Sequence, residues 1–281
     1  MSKFLKEKCQ CCGNKTIKKK LSLEVSDIFL CEKSCIYSRP NVNINTLYSP
    51  EYFKVNYETR KEAQKATSHK ICYFLKKHIS SGSILDYGCG IGSFLHESEK
   101  LGFKENIGID VSEYSISLAQ SVSKNSNFFL EKDYSETKKF DCISMIDSLA
   151  HIENINLTLP NIIKNNLKPN GFLLIRTPNI NRAYLFYILL IRYFFSKKYQ
   201  ASLFFAPHRL FLFNKKSIKL FLQKYDFKLI DILYEPDYKS NQSLLKNTSI
   251  KLLIDQIIRI KVPSLINRNN SMTIIAQLKK C

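Results

Sequence analysis

The sequence lacks the apolar segments that would carry a chain into or across a membrane. Its most apolar stretch, residues 183–195, has 13 residues and includes Arg192, whereas a helix needs roughly 20 apolar residues to cross a bilayer. The first eight residues carry four charged side chains and no apolar run follows them, so the pattern of a secretory signal is missing. These absences predict a cytoplasmic protein without a transmembrane segment.

Acidic residues are few compared with basic ones, and Trp is absent. The chain has 24 Asp and Glu against 43 Lys and Arg, a formal net charge of +19. Such an excess can indicate a nucleic acid, an anionic membrane face or a phosphorylated substrate. The sequence is also rich in Lys, Asn and Ile, and a bias of this kind would spread the charge over the whole surface. The charge alone therefore defines no partner.

The cysteines are concentrated near the start of the chain. Five of the nine lie between Cys9 and Cys35, and without an export signal a disulfide framework is not expected. A Cys-x-x-Cys-Gly and a Cys-x-x-x-Cys pair flank the strand-like run 21–30, which predicts two knuckles joined by a hairpin. Four thiolates can hold one structural Zn²⁺ in a tetrahedron, and here they would come from Cys9, Cys12, Cys31 and Cys35.

Residues 1–45 are therefore predicted to form a zinc-binding cysteine module. A module with so small an apolar core would need a bound metal ion to stabilise its fold. The alternative is a degenerate knuckle without metal, because the second pair has one extra residue between its cysteines and Cys11 is a further candidate ligand.

Beyond the cysteine module, residues 46–281 alternate between strand-like and helical patterns. A helix over 51–79 leads in, and the predicted strands are 83–87, 107–111, 128–131, 141–146, 171–177, 227–234 and 272–278. The predicted helices are 93–101, 113–123, 157–167, 214–224 and 243–261, with a turn at 168–171 and an aromatic, basic helical insertion over 181–213. Such alternation predicts an α/β domain with a Rossmann-like, doubly wound parallel sheet.

The glycine-rich segment Asp86-Tyr87-Gly88-Cys89-Gly90-Ile91-Gly92 lies where the first strand of this sheet turns into a helix. Glycine allows a sharp turn there and a close approach of backbone to ligand. Asp86 lies at the end of the strand. Its carboxylate can accept hydrogen bonds from loop amides there, or it can face an ammonium group of a ligand. Asp110 ends the next strand, where two carboxylate oxygens can bridge the ribose hydroxyls of a nucleoside.

A dinucleotide dehydrogenase would also carry glycines and a downstream acid, but this loop differs from its fingerprint. The acid precedes the first Gly by two residues, and Ser93 or Phe94 stands where the fingerprint needs its last Gly. The segment resembles the S-adenosylmethionine (SAM) motif of class I methyltransferases. The resemblance implies a cofactor pocket formed by Asp86, Tyr87, Gly88, Cys89, Gly90, Gly92, Asp110, Val111, Asp133, Tyr134 and Ile146.

Three further segments, 140–152, 167–179 and 207–213, resemble ubiquinone-type O-methyltransferases and their sugar-modifying relatives. The resemblance covers roughly residues 75–235 and implies a seven-stranded sheet whose last strand is antiparallel. The relatives commonly have Glu where this chain has Ala150. The cysteine module resembles the zinc-binding N-terminal region of some sugar C-methyltransferases.

Methyl transfer from a sulfonium needs an aligned acceptor and, for a hydroxyl, a base. A His with a pKa near neutrality suits that task. His151 follows the fourth strand at the ligand-binding edge, and His208 lies in the insertion, so both are candidate bases or acceptor-positioning residues. A structural role for His151 is the alternative.

The sequence thus predicts a SAM-dependent methyltransferase acting on a small-molecule or carrier-linked acceptor: a sugar, a nucleotide-linked sugar or a quinone-like compound. Amino-group methylases of nucleic-acid bases need a Pro-Pro-aromatic turn after the fourth strand, which residues 147–150 do not provide. An RNA O-methyltransferase, and a zinc-ribbon binding module on a catalytically idle fold, remain the alternatives. The aromatic insertion also leaves peripheral membrane contact open.

Overall fold

The computed structural model describes residues 9–14, 17–22, 26–33, 35–40, 50–179, 209–235 and 271–279. Its strands are β1 (Ile17–Ser22), β2 (Ser26–Cys31), β3 (Ile36–Pro40), β4 (Ile84–Tyr87), β5 (Ile107–Asp110), β6 (Asn127–Leu130), β7 (Phe140–Ile146), β8 (Leu167–Pro178), β9 (Phe211–Leu212), β10 (Phe227–Glu235) and β11 (Ser271–Leu278). Its helices are α1 (Pro50–Lys76), α2 (Ser93–Lys100), α3 (Glu113–Val122), α4 (Ile155–Asn166) and α5 (Lys215–Lys224).

The larger sheet has seven strands in the order β10-β11-β8-β7-β4-β5-β6. Strands β8, β7, β4, β5 and β6 pair in parallel, while β11 runs antiparallel to both β8 and β10. Parallel neighbours require crossovers, and helices α2, α3 and α4 connect successive strands on this sheet. The predicted Rossmann-like, doubly wound α/β fold with an antiparallel last strand is confirmed.

Alternate residues of the central strands pack on opposite faces of this sheet. Ile84 of β4 and Cys142 of β7 pack with Ile71 of α1 in one cluster. Their neighbours Leu85 and Ile143 belong to a second cluster, which also contains residues of α4, α5 and the cysteine module. Helices α1, α2 and α3 therefore cover one face, and the cysteine module is part of the core on the other. This follows from the two-residue period of strands that are buried on both sides.

A second sheet of four strands, β1-β2-β3-β9, forms the cysteine module and its junction with the rest of the chain. The predicted hairpin is present as the antiparallel pair β1 and β2. Strand β9 falls within the segment predicted as a helical insertion. It is extended instead, because Tyr37 and Ile36 of β3 pair with Phe211 and Leu212.

Several other sequence predictions have clear outcomes. Strand β8 begins at Leu167, so the predicted turn lies within the strand as an irregularity in its pairing with β7, and Asn170 has φ 59° there. Residues 181–208 of the predicted insertion and the helix predicted over 243–261 lie outside the described residues. Among the helices that the structure describes, none combines the length and apolar character needed to span a membrane.

Candidate functional site

The glycine-rich loop lies at the carboxyl end of β4 and is held by the neighbouring strand β5. The amides of Gly88 and Cys89 both donate to the carbonyl of Ile109, at 2.8 and 3.0 Å. The Gly92 amide then donates to the Cys89 carbonyl at 3.0 Å and closes the turn into α2. Backbone hydrogen bonds thus hold the loop against β5 and at the start of α2.

Two glycines of this loop have no room for a side chain. Gly88 has φ 78°, and a Cβ there would collide with the Cβ of Ser148, whose Oγ donates to the Tyr87 carbonyl at 2.5 Å. Gly92 has φ 74°, and its Cβ would lie 2.8 Å from Cζ of Phe128. Left-handed backbone is costly for residues with a Cβ. Conformation and space therefore both require glycine here.

Asp110 connects the loop to the segment that follows β5. Its Oδ2 accepts the Gly90 amide at 2.8 Å, and its Oδ1 accepts the Ser112 amide at 2.9 Å. Burial raises the pKa of this carboxyl above its usual value, while the amides oppose that effect. Each oxygen of a carboxylate can accept more than one hydrogen bond. Asp110 can therefore order the loop and still receive ligand hydroxyls.

Asp86 lies beneath the loop and is 1% exposed. Its Oδ1 accepts a hydrogen bond from Ser144 Oγ of β7 at 2.7 Å. Burial raises its pKa to about 7, against the lowering effect of the Ser144 hydroxyl. A carboxyl with this pKa changes charge near neutral pH, so a cationic ligand group would favour its ionised form.

The remaining predicted cofactor residues surround the loop at different depths. Val111 is 68% exposed although it is apolar, and Ile146 is half-buried at the end of β7. Asp133 is exposed in a short 3-10 turn after β6, and Tyr134 packs against Phe129 with 5.9 Å between ring centroids. The Tyr87 hydroxyl donates to Glu131, a residue that sequence reasoning did not select.

His151 lies in a 3-10 turn, Leu149–His151, just after β7 and is half-buried. Its amide donates to the Ser148 carbonyl at 2.9 Å. The turn therefore begins next to Ser148, the residue that packs on the glycine loop. His208, the second candidate base, lies outside the described residues.

The structure adds three charged residues that sequence reasoning missed. Arg176 of β8 donates from Nη1 to the carboxylate of Asp147, and its Nε lies 3.8 Å from Oε2 of Glu235. Thr273 Oγ1 also donates to Glu235, at 3.2 Å. Asp147 directly follows β7 and Glu235 ends β10, so their positions after predicted strands were the available signal.

The predicted metal ligands come together in the cysteine module. The Sγ atoms of all four lie within 4.8 Å of one another, and Zn–S bonds of about 2.3 Å in a tetrahedron place sulfurs about 3.8 Å apart. The Cys12 amide donates to Cys9 Sγ at 3.3 Å, and the Gly13 amide to the Cys9 carbonyl at 2.7 Å. The donor set and its spacing therefore fit a Zn²⁺ ion; the residues are Cys9, Cys12, Cys31 and Cys35.

Tyr37, Cys11 and Lys224 lie next to this cysteine cluster. The Tyr37 hydroxyl is 2.5 Å from Cys9 Sγ and accepts the Cys11 amide at 3.1 Å. Hydrogen bonds from the Cys11 and Cys35 thiols hold the pKa of Cys9 below its ordinary value. Lys224 Nζ donates to the Gln10 carbonyl at 2.8 Å, which brings a positive charge to the cluster.

The sheet order and the glycine loop at the β4 edge define a Rossmann-like methyltransferase. The chain matches a family model described as a methyltransferase domain over residues 59–232, more than half of its length. It therefore belongs to this methyltransferase domain family and is a SAM-dependent methyltransferase. Comparison with curated protein sequences gives no match.

Solved structures of low sequence identity share the fold. A SAM-dependent methyltransferase from Archaeoglobus fulgidus is 18% identical with a TM-score of 0.54, covering 80% of this chain and 99% of that one. A methyltransferase in complex with the Haloferax volcanii Trm112 activator is 10% identical with a TM-score of 0.55, covering 80% and 96%. The plantazolicin methyltransferase BpumL, solved with S-adenosylhomocysteine (SAH), is 18% identical with a TM-score of 0.51, covering 83% and 92%.

Gly88→Ala tests the glycine loop. The substitution adds a strained left-handed residue and a collision with Ser148, so the free energy of unfolding in urea should fall by about 2–4 kcal/mol. Gly13→Ala is the matched control, because Gly13 has φ 74° but nothing within 4 Å of its Cβ. Equal losses in the two variants would show that the contact with Ser148 has no effect.

Proposed function

We propose that this enzyme transfers the methyl group of SAM to a small-molecule or carrier-linked acceptor: a sugar, a nucleotide-linked sugar or a quinone-like compound. The observation that carries the proposal is the pair of amide hydrogen bonds to Asp110. They present the glycine loop and a carboxylate at one edge of the sheet, the arrangement that suits a nucleoside with a charged tail. The methylated atom would be an oxygen or a carbon.

The proposed cofactor pocket uses the residues around the loop in distinct ways. Asp110 would hold the ribose hydroxyls, and Asp86 would face the ammonium group of the methionine tail. Val111 is exposed although apolar, and an adenine ring packed on it would remove that surface from water. Asp133, beside Tyr134, would receive the adenine amino group. The rest of the pocket lining would come from Tyr87, Cys89 and Ile146.

At the proposed acceptor site, the protein has to align the acceptor with the methyl group and remove a proton from it. Methyl transfer is an in-line displacement at carbon, so the nucleophile has to lie opposite the departing sulfur. We propose that His151, on the turn after β7, accepts the acceptor's proton or positions the acceptor, with His208 as the second candidate from the insertion.

A screen of hydroxyl-bearing acceptors with isotopically labelled SAM tests the proposal. Label should enter a sugar, nucleotide-sugar or quinol acceptor. Asp110→Ala should remove that transfer and weaken SAH binding by roughly 100-fold, because charge-assisted hydrogen bonds are lost. Calorimetry with SAH gives the affinity.

Glu113→Gln serves as the control, because Glu113 is an exposed acid near the loop that pairs only with the exposed Lys132 among the described residues. The cofactor assignment fails if SAH binding is absent in the wild type or unchanged in Asp110→Ala. Transfer to RNA, with binding that falls steeply as salt rises, would replace the small-molecule acceptor.

Asp86 generates a pH prediction. Its raised pKa favours the protonated carboxyl in the free protein, so its contribution to stability is present below its ordinary value of 3.8 and is lost as the pH rises through about 7. An ammonium group favours the ionised form, so SAH should bind about tenfold more weakly at pH 6 than at pH 8. Asp86→Asn should flatten this profile in calorimetry, and an equally steep profile in the variant would contradict the assignment.

We further propose that residues 1–45 form a structural zinc module attached to the methyltransferase domain of residues 46–281. The support is the convergence of four thiols in a module whose sulfurs are mostly buried. A bound Zn²⁺ would crosslink the two knuckles. It would supply folding energy rather than a reactive centre, because four protein ligands leave no open coordination position.

Metal analysis tests the zinc module. Purified protein should contain about one zinc per chain, and Cys31→Ser should lose it and unfold at lower temperature. Cys11→Ser is the control, because Cys11 lies outside the group of four and its loss should leave the zinc content unchanged. Less than half an equivalent of zinc in the wild type would discard the site.

A further inference from the structure

The order of the strands divides the carboxyl edge of the sheet at β7. The glycine loop follows β4 and rests on β5, while β7, β8, β11 and β10 extend away on the other side. Asp147 is the first residue after β7, and its amide still pairs with the Arg176 carbonyl at 2.9 Å. The next residue, Ser148, packs against Gly88. Asp147 therefore stands at the boundary between the cofactor half and the acceptor half.

The backbone of Asp147 is held in a conformation that most residues avoid. Its φ is 57°, in the left-handed region, which residues with a Cβ adopt rarely and Asp more readily than most. Residues kept in such conformations are frequent at functional sites, where the surroundings enforce them. The surroundings here are the Arg176 pairing and the contact of Ser148 with the loop.

A charged row continues from Asp147 across the acceptor half. The Arg176 side chain is 11% exposed and lies between Asp147 and Glu235, whose side chains are 44% and 8% exposed. Two carboxylates and one guanidinium give these three residues a formal charge of −1, in a protein with formal charge +19. Buried ion pairs hold their members in defined positions because separating them is costly.

Asp147 keeps an acceptor atom for a further partner. The Arg176 guanidinium donates to its Oδ2. Within the described ranges, its Oδ1 receives no hydrogen bond, and the side chain is partly open to solvent. An ionised carboxylate accepts hydrogen bonds and donates none, so the group that meets Oδ1 has to be a donor.

We infer that Asp147 binds the acceptor beside the transferred methyl group, and that Arg176 and Glu235 position it. This inference rests on the proposed function and narrows its acceptor class. The reacting end of the acceptor carries a hydroxyl group that donates to Asp147. A phosphate or carboxylate of the same acceptor lies elsewhere, because it would meet the excess negative charge of the row.

A cofactor analogue tests this inference without knowledge of the acceptor. In sinefungin an amine-bearing carbon replaces the methylated sulfur of SAM, so its ammonium occupies the place from which the methyl leaves. SAH has no such group. Asp147→Asn should weaken sinefungin binding about tenfold, through loss of a charge-assisted hydrogen bond, and change SAH affinity less than twofold. Calorimetry with each ligand gives both values.

Two further variants separate this effect from a change in folding. Asp226→Asn is the matched control, because Asp226 has φ 59° but is exposed in the turn before β10; both affinities should stay at the wild-type value. Asp147→Gly relieves the backbone strain, so it should remain folded and lose the same sinefungin affinity. Unchanged sinefungin binding in Asp147→Asn and Asp147→Gly would overturn the inference. Absence of SAH binding in the wild type would instead overturn the proposed function, and this inference with it.

Discussion

The Asp110 carboxylate accepts hydrogen bonds from the backbone amides of two segments. The geometry of the glycine loop depends on this double contact. Gly90 belongs to the loop after β4 and Ser112 to the start of α3. The Ile109 carbonyl accepts hydrogen bonds from two more loop amides. Strand β5 therefore holds the loop in place. A parallel sheet brings both strand ends to the same edge, so the loop after β4 and the carboxylate that ends β5 lie side by side.

The turn that carries His151 is held by a different part of the chain. Leu210 donates its amide to the Ala150 carbonyl at 2.8 Å, and its own carbonyl receives the Ser38 amide at 3.0 Å. One residue thus joins β3 of the cysteine module to the turn that carries His151. The Gln10 side chain also donates to the Glu153 carbonyl, at 3.4 Å. These contacts hold the cysteine module against the turn that carries His151 and the residues just after it.

The parts of this architecture that sequence could predict are those with local rules. The alternation of strands and helices, the glycine loop and the four cysteines follow from periodicity, turn chemistry and ligand spacing. Strand β9 was missed because its two residues are extended only through their pairing with β3, more than 170 positions away. The row of Asp147, Arg176 and Glu235 was missed for the same reason. Asp147 follows β7, Arg176 lies on β8 and Glu235 ends β10, and the sheet order brings these three strand ends together.

Lys224 of α5 brings a positive charge next to the cysteine cluster. A Zn²⁺ ion with four thiolates carries a formal charge of about −2, which is costly to bury without compensation. Lys224 ends α5 and reaches the Gln10 carbonyl in the first knuckle, and burial lowers the pKa of Lys224 while the nearby cysteines raise it. The cluster thus faces a cation supplied by the methyltransferase domain. With a bound Zn²⁺, Lys224 would offset part of this negative charge, and the β3–β9 pairing joins the same two parts of the chain.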